Sequence, residues 1–107
     1  MGRTYHRDGF DLVQVDHPDA WEHDNPRAYQ VIADGLGYVG TVGTYMETFE
    51  RRPYEGARYV TSRWRSERWW YRLEGQRNED RGQRGFEGPG RAAWMLIWEV
   101  QRGRGQA

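Results

Sequence analysis

The chain has 107 residues and no cysteine, which excludes disulfide bonds, iron–sulfur clusters and thiol catalysis. Sixteen basic residues balance sixteen acidic ones, and this neutral total by itself does not favour a nucleic-acid partner. The aromatic fraction of 15% is high for a disordered chain, because disordered segments are poor in aromatic residues. We therefore expect one small folded domain over residues 1–107, with disordered ends at 1–9 and 103–107.

The charges are unevenly distributed along the chain. Residues 1–50 hold three Arg and nine acids, whereas residues 51–107 hold thirteen Arg and seven acids. Such an asymmetry indicates an interaction surface, or two halves that neutralise each other within the fold. All basic residues are Arg and none is Lys, which is typical of a GC-rich genome such as that of an actinobacterium or one of its phages.

The first half of the chain predicts a short strand, a short helix and a hairpin. Phe10–Val15 is apolar enough for a strand, and Asp16–Glu22 has the acids and the proline of a helix N-terminus. Tyr29–Ala33 and Tyr38–Tyr45 are β-rich runs on either side of Asp-Gly-Leu-Gly, which predicts a hairpin. The run from Met46 to Gly56 is expected to be a loop.

The most informative segment runs from Arg58 to Leu73 and mixes arginines with aromatic residues. Its composition favours two strands, Tyr59–Arg65 and Arg68–Leu73, with a turn at Ser66–Glu67. Strand alternation then predicts a core set and a displayed set of side chains. The core set is Val60, Trp64, Trp69, Tyr71 and Leu73, and the displayed set is Tyr59, Arg63, Arg65, Arg68, Trp70 and Arg72.

The C-terminal part predicts a mobile loop followed by a helix. Glu74–Gly85 is rich in Gly and charge, whereas Pro89 begins an apolar run that ends near Gly103. Ala93, Leu96, Ile97 and Val100 form one stripe with Trp94 and Trp98 beside it, so we expect the helix to be largely buried. The predicted fold is α+β, an antiparallel sheet of three to four strands packed by the C-terminal helix.

No catalytic or metal-binding pattern accompanies these elements. His6, His17 and His23 lie among acids at spacings that match no zinc site. The glycines from Gly35 to Gly43 fall in the predicted hairpin and lack the strand-to-helix turn of a dinucleotide site. We expect a non-enzymatic protein without cofactor or metal. The N-terminus leads into no apolar segment, which predicts a cytoplasmic protein with no membrane partner.

The displayed set is the candidate binding site. Guanidinium groups pair with phosphates and aromatic rings stack on bases, which favours DNA or RNA as the partner. Trp, Tyr and Arg are also enriched at protein-binding hot spots. The alternative partner is therefore a protein, either a host protein that is adapted or inhibited or a second copy in a homo-oligomer.

The order of elements from Tyr29 onward resembles small sheet-plus-helix modules of phages and mobile elements, including the arm-type DNA-binding domains of phage integrases. The resemblance depends on the strand at Gly37–Val42, on Arg-Trp-Trp-Tyr-Arg at Arg68–Arg72 and on Gly-Phe-Glu-Gly-Pro-Gly-Arg-Ala-Ala before the helix. In such modules a three-stranded sheet enters the major groove and the helix packs behind it. The resemblance implies that Arg63, Arg65, Arg68, Trp70 and Arg72 line the DNA-facing side. The loop at Glu74–Gly85 and the acidic segment before Tyr29 depart from it.

Overall fold

The computed structural model describes residues 3–16, 25–76 and 84–105. The elements are β1 Thr4–Arg7, β2 Phe10–Gln14, β3 Ala28–Ala33, β4 Gly37–Arg51, β5 Ser62–Leu73, β6 Arg84–Phe86 and α1 Pro89–Gly105. The strands form one antiparallel sheet in the order β1-β2-β3-β4-β5-β6, so each strand pairs with its neighbours in sequence. The predicted α+β class with a C-terminal helix is confirmed, but the sheet has six strands rather than three to four.

The two terminal strands lie where the sequence predicts loose chain. β1 falls within residues 1–9, which were expected to be disordered, and β6 lies at the end of the loop predicted over Glu74–Gly85. β1 is held by Tyr5, whose ring meets the ring of Tyr29 edge-to-face with centroids 5.7 Å apart. β1 and β6 each contain only one large apolar side chain, so no alternation of apolar and polar residues marks them as strands. The helix also extends to Gly105, into the predicted disordered end.

The predicted central hairpin is confirmed. β3 and β4 pair on either side of a turn in which the Leu36 amide donates to the Ala33 carbonyl at 3.1 Å. Gly35 has a φ of 77°, a left-handed conformation that glycine adopts without a steric penalty. The helix predicted over Asp16–Glu22 falls almost entirely outside the described residues.

Two predictions about the second half of the hairpin are wrong. β4 continues to Arg51 through the predicted loop at Met46, and β5 is one continuous strand through the predicted turn at Ser66–Glu67. Glu47 pairs with Ser66 and Met46 with Glu67 in an unbroken register. The Ser-Glu pair lacks the Gly or Asn that tight hairpin turns require, so pairing with β4 keeps this segment extended. The chain instead turns between Arg51 and Ser62.

The core lies between α1 and one face of the sheet. The inner side of the helix buries Ala92, Ala93, Leu96 and Ile97 against side chains of β2 to β5. The sheet side of this cluster contains Phe10, Leu12, Tyr29, Val31, Ala33, Val39, Val42, Trp69 and Tyr71. The predicted helix stripe is therefore the buried one. We call this side of the sheet the helix-side face and the other side the open face.

Two glycines of β4 are required by close neighbours, as their place in a strand predicts. A Cβ on Gly40 would lie 2.2 Å from the Arg72 carbonyl oxygen and 3.1 Å from Leu96 on the helix. A Cβ on Gly43 would lie 2.3 Å from the indole ring of Trp70. Gly40 thus lets the helix approach the sheet, and Gly43 leaves room for an indole on the open face.

Candidate nucleic-acid interface

β4 and β5 continue together well past the rest of the sheet. β3 reaches only as far as Ala28, opposite Gly43, and β6 pairs with β5 only at Trp69 and Trp70. Beyond these positions Tyr45–Arg51 and Ser62–Arg68 form a two-stranded extension, here called the ribbon, and residues 52–61 form its tip. The ribbon and its tip contain most of the segment that the sequence analysis selects.

Continuity of β5 changes which predicted side chains share a surface. Alternate residues of one strand point to the same face, so Arg63 and Arg65 lie on the helix-side face with Trp69 and Tyr71. Arg68, Trp70 and Arg72 lie on the open face. The six predicted site residues therefore do not form one surface. The assumed turn shifted the alternation by one residue, and such a shift moves every side chain to the other face.

The helix-side face of the ribbon is polar and exposed. Arg63 donates from Nε to Glu50 Oε1 at 3.1 Å, and its Nη2 lies 2.8 Å from the same oxygen. Arg65 lies opposite Thr48 in the register, and both side chains are exposed. Nearer the sheet, Glu67 accepts a hydrogen bond from Arg27. This face therefore presents two neighbouring arginines held on a regular strand.

The open face of the ribbon is aromatic. Trp64, predicted to be in the core, is 44% exposed and stacks on Phe49 with ring centroids 5.8 Å apart. The guanidinium of Arg68 lies over the Phe49 ring, 4.9 Å from its centroid. Arg68 also donates to Ser66 Oγ at 3.0 Å. Trp64 and Phe49 thus form a small cluster that stabilises the ribbon in the absence of a second layer.

Trp70 is not displayed, contrary to the prediction. It is only 4% exposed, because its indole lies over Gly43 and its Nε1 donates to the Thr44 carbonyl at 3.3 Å. The guanidinium of Arg72 lies 5.5 Å from the Trp70 ring centroid and covers it. Trp70 and Arg72 therefore pack the open face, and Trp70 is not available to stack on a base.

The tip is ordered by hydrogen bonds and displays two tyrosines. Arg52 donates to the Ala57 carbonyl at 2.8 Å and to Glu50 at 3.1 Å, which ties the tip to the end of β4. Tyr59 is 59% exposed and Tyr54 is exposed to a similar extent. The prediction that Tyr59 is displayed is confirmed. Tyr54 was not selected from the sequence, because it lies in the predicted loop Met46–Gly56, outside the segment rich in arginine and aromatic residues.

The charges of the described residues separate along the long axis of β4 and β5. Between Thr44 and Trp69 the chain holds six Arg and four Glu. The turns at the opposite end of these strands carry exposed Asp8, Asp34 and Glu74. The predicted neutralisation between the two halves occurs locally: Glu50 of the first half pairs with Arg63 and Arg52 of the second. The ribbon keeps a positive excess despite these pairs.

The outer side of α1 is more exposed than the sequence predicts. Trp94 and Trp98 are 51% and 53% exposed, and Met95 between them is also exposed. Trp94 is anchored at one edge, where its ring meets Phe10 edge-to-face at 5.3 Å. The prediction of a largely buried helix is wrong, because this helix is apolar on two sides and the sheet covers only one.

A partly buried hydrogen bond joins the helix to the sheet. The Tyr71 hydroxyl donates to Glu99 Oε2. Burial raises the pKa of Tyr71 well above its usual value, and the hydrogen bond to Glu99 raises it further. Burial, followed by the nearby Glu47 carboxylate, also raises the pKa of Tyr45. Both tyrosines are structural groups that stay protonated.

The described ranges contain no cluster of three or more His, Asp or Glu side chains that could hold a metal ion. Within the same residues, no helix is long and apolar enough to cross a membrane. No known protein family, curated protein or solved structure matches the chain. The resemblance to the arm-type domains of phage integrases therefore stays a prediction.

Proposed function

We propose that the protein binds nucleic acid through the helix-side face and the tip of the ribbon. The observation that carries this proposal is the pair Arg63 and Arg65, exposed next to each other on a strand that extends past the core. Guanidinium groups on a regular strand hold a constant spacing and suit phosphate oxygens. The acidic turns at the opposite end orient the molecule so that the ribbon faces a polyanion first.

Arg63 and Arg65 are the proposed phosphate-contacting residues, and the tip extends their surface. Arg51 and Arg58 are exposed at or beside the tip and add positive charge there. The Glu50 carboxylate holds the Arg63 guanidinium in place, while that side chain stays 64% exposed to an incoming phosphate. The proposed site thus keeps Arg63 and Arg65 and adds arginines that the sequence analysis did not select.

Base stacking is assigned to Tyr59 of the tip. Stacking of a base on an aromatic side chain contributes about 1–3 kcal/mol and tolerates any sequence. Tyr59 is 59% exposed there, whereas Trp64 lies on the open face, outside the proposed site. The open face is packed by three residues of the predicted displayed set, Arg68, Trp70 and Arg72. We place this activity in the cytoplasm and class the protein with small phage and mobile-element binding proteins.

Fluorescence anisotropy with labelled duplex DNA, single-stranded DNA and single-stranded RNA tests the proposal. We expect saturable binding at about 50 mM salt that weakens steeply toward about 200 mM, because phosphate contacts release counterions. Replacing Arg63 and Arg65 with Gln should weaken binding to every sequence at least tenfold and reduce the salt slope by about 2. Tyr59→Ala should weaken binding to single strands more than to duplex.

The matched control is the double variant Arg3→Gln with Arg7→Gln. Both of these arginines are exposed at the N-terminal strand, away from the ribbon, so the variant loses the same net charge. It should keep most of the affinity. Absence of saturable binding to all three probes at low salt rules out the proposal. Equal losses of affinity in the two double variants would show that nucleic acid does not bind through the ribbon.

A protein partner is the second candidate function. The exposed Tyr54, Tyr59 and Trp64 together with arginines have the composition of a binding hot spot. An aromatic protein interface depends far less on salt than phosphate contacts do. A partner bound equally well at low and high salt, through Trp64 rather than Arg65, would favour this function over nucleic-acid binding.

A further inference from the structure

Among the described residues, no strand pairs with the outer edge of β4 along the ribbon. The Thr44 amide donates to the Arg27 carbonyl at 2.9 Å, so at Thr44 the backbone points away from β5. Backbone groups alternate in direction along a strand, which places the N–H and C=O of Met46, Thr48 and Glu50 on the same outer edge. Within the described part of the chain, β3 ends before these positions and no other strand pairs with them.

This edge carries charged side chains, but neither a proline nor a bulge interrupts it along the ribbon. Natural edge strands are protected by charged side chains, proline, bulges or short length. β4 pairs with β5 without a register shift from Gly40 to Arg51, and its first proline is Pro53, in the tip. A two-stranded ribbon without a second layer is also only marginally stable by itself. An additional strand would satisfy the free backbone groups and stabilise the ribbon.

The side chains along this edge are self-complementary. Glu47, Phe49 and Arg51 lie on the open face of the same strand. If a second β4 pairs antiparallel about a two-fold axis at Phe49, Glu47 lies opposite Arg51 of the second copy, and Phe49 lies opposite its equivalent. Opposite charges and aromatic pairs are favourable cross-strand neighbours. The same register places Thr48 opposite Glu50, the residues whose backbone groups point outward.

We propose that two copies of this chain associate through the outer edges of β4, in antiparallel register about Phe49, to form a continuous four-stranded ribbon. The hydrogen bonds join Thr48 of each copy to Glu50 of the other and extend to Met46 and Arg52. The paired segment stops short of Thr44, where Arg27 already occupies the edge. A two-fold interface of this kind closes after two copies, so it gives a dimer rather than a fibre.

The outer edge of β5 is less suitable for the same association. Arg63, Arg65 and Glu67 share one face there, and the register that pairs Arg63 with Glu67 of a second copy centres on Arg65. Arg65 would then lie opposite its equivalent, and like charges directly opposite each other are destabilising. Charge complementarity therefore selects the β4 edge.

The dimer enlarges the surface that carries Arg63 and Arg65, whichever partner binds there. A two-fold axis normal to the sheet keeps the helix-side faces of both copies on one side. The strand order becomes β5-β4-β4-β5, which separates the two β5 strands by about 14 Å, since neighbouring strands are about 4.8 Å apart. Arg63 and Arg65 of both copies then line one continuous surface.

Sedimentation equilibrium of the purified chain, without nucleic acid, tests the association. We expect a species of twice the 12.7 kDa chain mass at tens of micromolar protein. Thr48→Pro removes an outward N–H without removing a hydrogen bond to β5, and it should give a monomer. The matched control is Arg65→Pro, which removes the equivalent N–H on the outer edge of β5 and should leave the dimer intact.

A charge exchange covers the case in which the proline variant does not fold. Glu47→Arg and Arg51→Glu should each weaken the dimer at least tenfold, because each places like charges opposite one another. The double variant should restore it. A wild-type chain that stays monomeric up to about 100 μM overturns the proposal. A dimer that persists in Thr48→Pro and in both single charge variants also overturns the proposal.

Discussion

The same two strands, β4 and β5, behave differently in their two halves. Near Gly40 and Leu73 they are covered by α1 on one side, and Trp70 with Arg72 packs the other side. Along the ribbon they have no helix above them, and their stability comes from stacked rings and ion pairs between the two strands. Both halves contain alternating aromatic residues and arginines, so local composition does not distinguish them. The helix buries Trp69 and the Arg72 side chain covers Trp70, whereas Trp64 has no such cover and stays on the surface.

Truncation of one tryptophan in each half tests this contrast and has the largest expected effect. Trp69 is 3% exposed under the helix, and Trp64 lies on the ribbon. We expect Trp69→Ala to lower the free energy of unfolding by about 3–5 kcal/mol, as for other buried aromatic residues. Trp64→Ala should cost about 1 kcal/mol, the value of a cross-strand aromatic pair. Urea denaturation followed by circular dichroism measures both, and equal losses would contradict the contrast.

A methyl group on Gly43 tests how tightly the covered half is packed. Its Cβ would lie 2.3 Å from the indole ring of Trp70, which is itself held by a hydrogen bond to Thr44. We expect Gly43→Ala to destabilise the protein by about 1–3 kcal/mol through overpacking. The control is Gly90→Ala at the start of the helix, where a Cβ meets nothing within 4 Å. Thermal unfolding should show a lower midpoint for the first variant and no loss for the second.

The hydrogen bond between Tyr71 and Glu99 gives the smallest effect and a distinct pH dependence. Tyr71→Phe should cost about 1–2 kcal/mol near neutral pH. The folded pKa of Tyr71 lies above the ordinary value of about 10, so its contribution is fully present below pH 10. Above about pH 10 the unfolded chain ionises first, and stability falls as the pH rises.

Urea denaturation between pH 8 and pH 11 checks this dependence. The wild type should lose stability more steeply than Tyr71→Phe in this range, because the variant has one raised tyrosine fewer. Tyr45, whose pKa is also raised, contributes to the slope that remains in the variant. The exposed Tyr54 provides the control, and Tyr54→Phe should leave the profile unchanged. Identical profiles for the wild type and Tyr71→Phe would contradict the assignment.

The sequence predicted those parts of the fold whose signals are local. The turn around Gly35, the two β-rich runs beside it and the helix beginning at Pro89 were all recognisable, because turn residues and periodicity act within a few positions. Tyr59 is exposed as predicted, but it lies in the tip and not on the strand predicted over Tyr59–Arg65. The turn predicted at Ser66–Glu67 was wrong. The pair resembles a weak turn by itself, and only the partner strand β4 keeps it extended.

The sequence alone determined that most of the segment from Arg58 to Leu73 is extended, alternating and rich in arginine and aromatic rings. The tertiary structure decided which face each side chain occupies and which rings are covered. A single strand in place of two moves Trp64 from the predicted core to the open face. Trp70 keeps its predicted face but is buried there, because its indole packs over Gly43. The helix likewise carries apolar side chains on two sides, and the position of the sheet decides which side is buried. Facing and burial depend on contacts between distant residues, and a local pattern does not contain them.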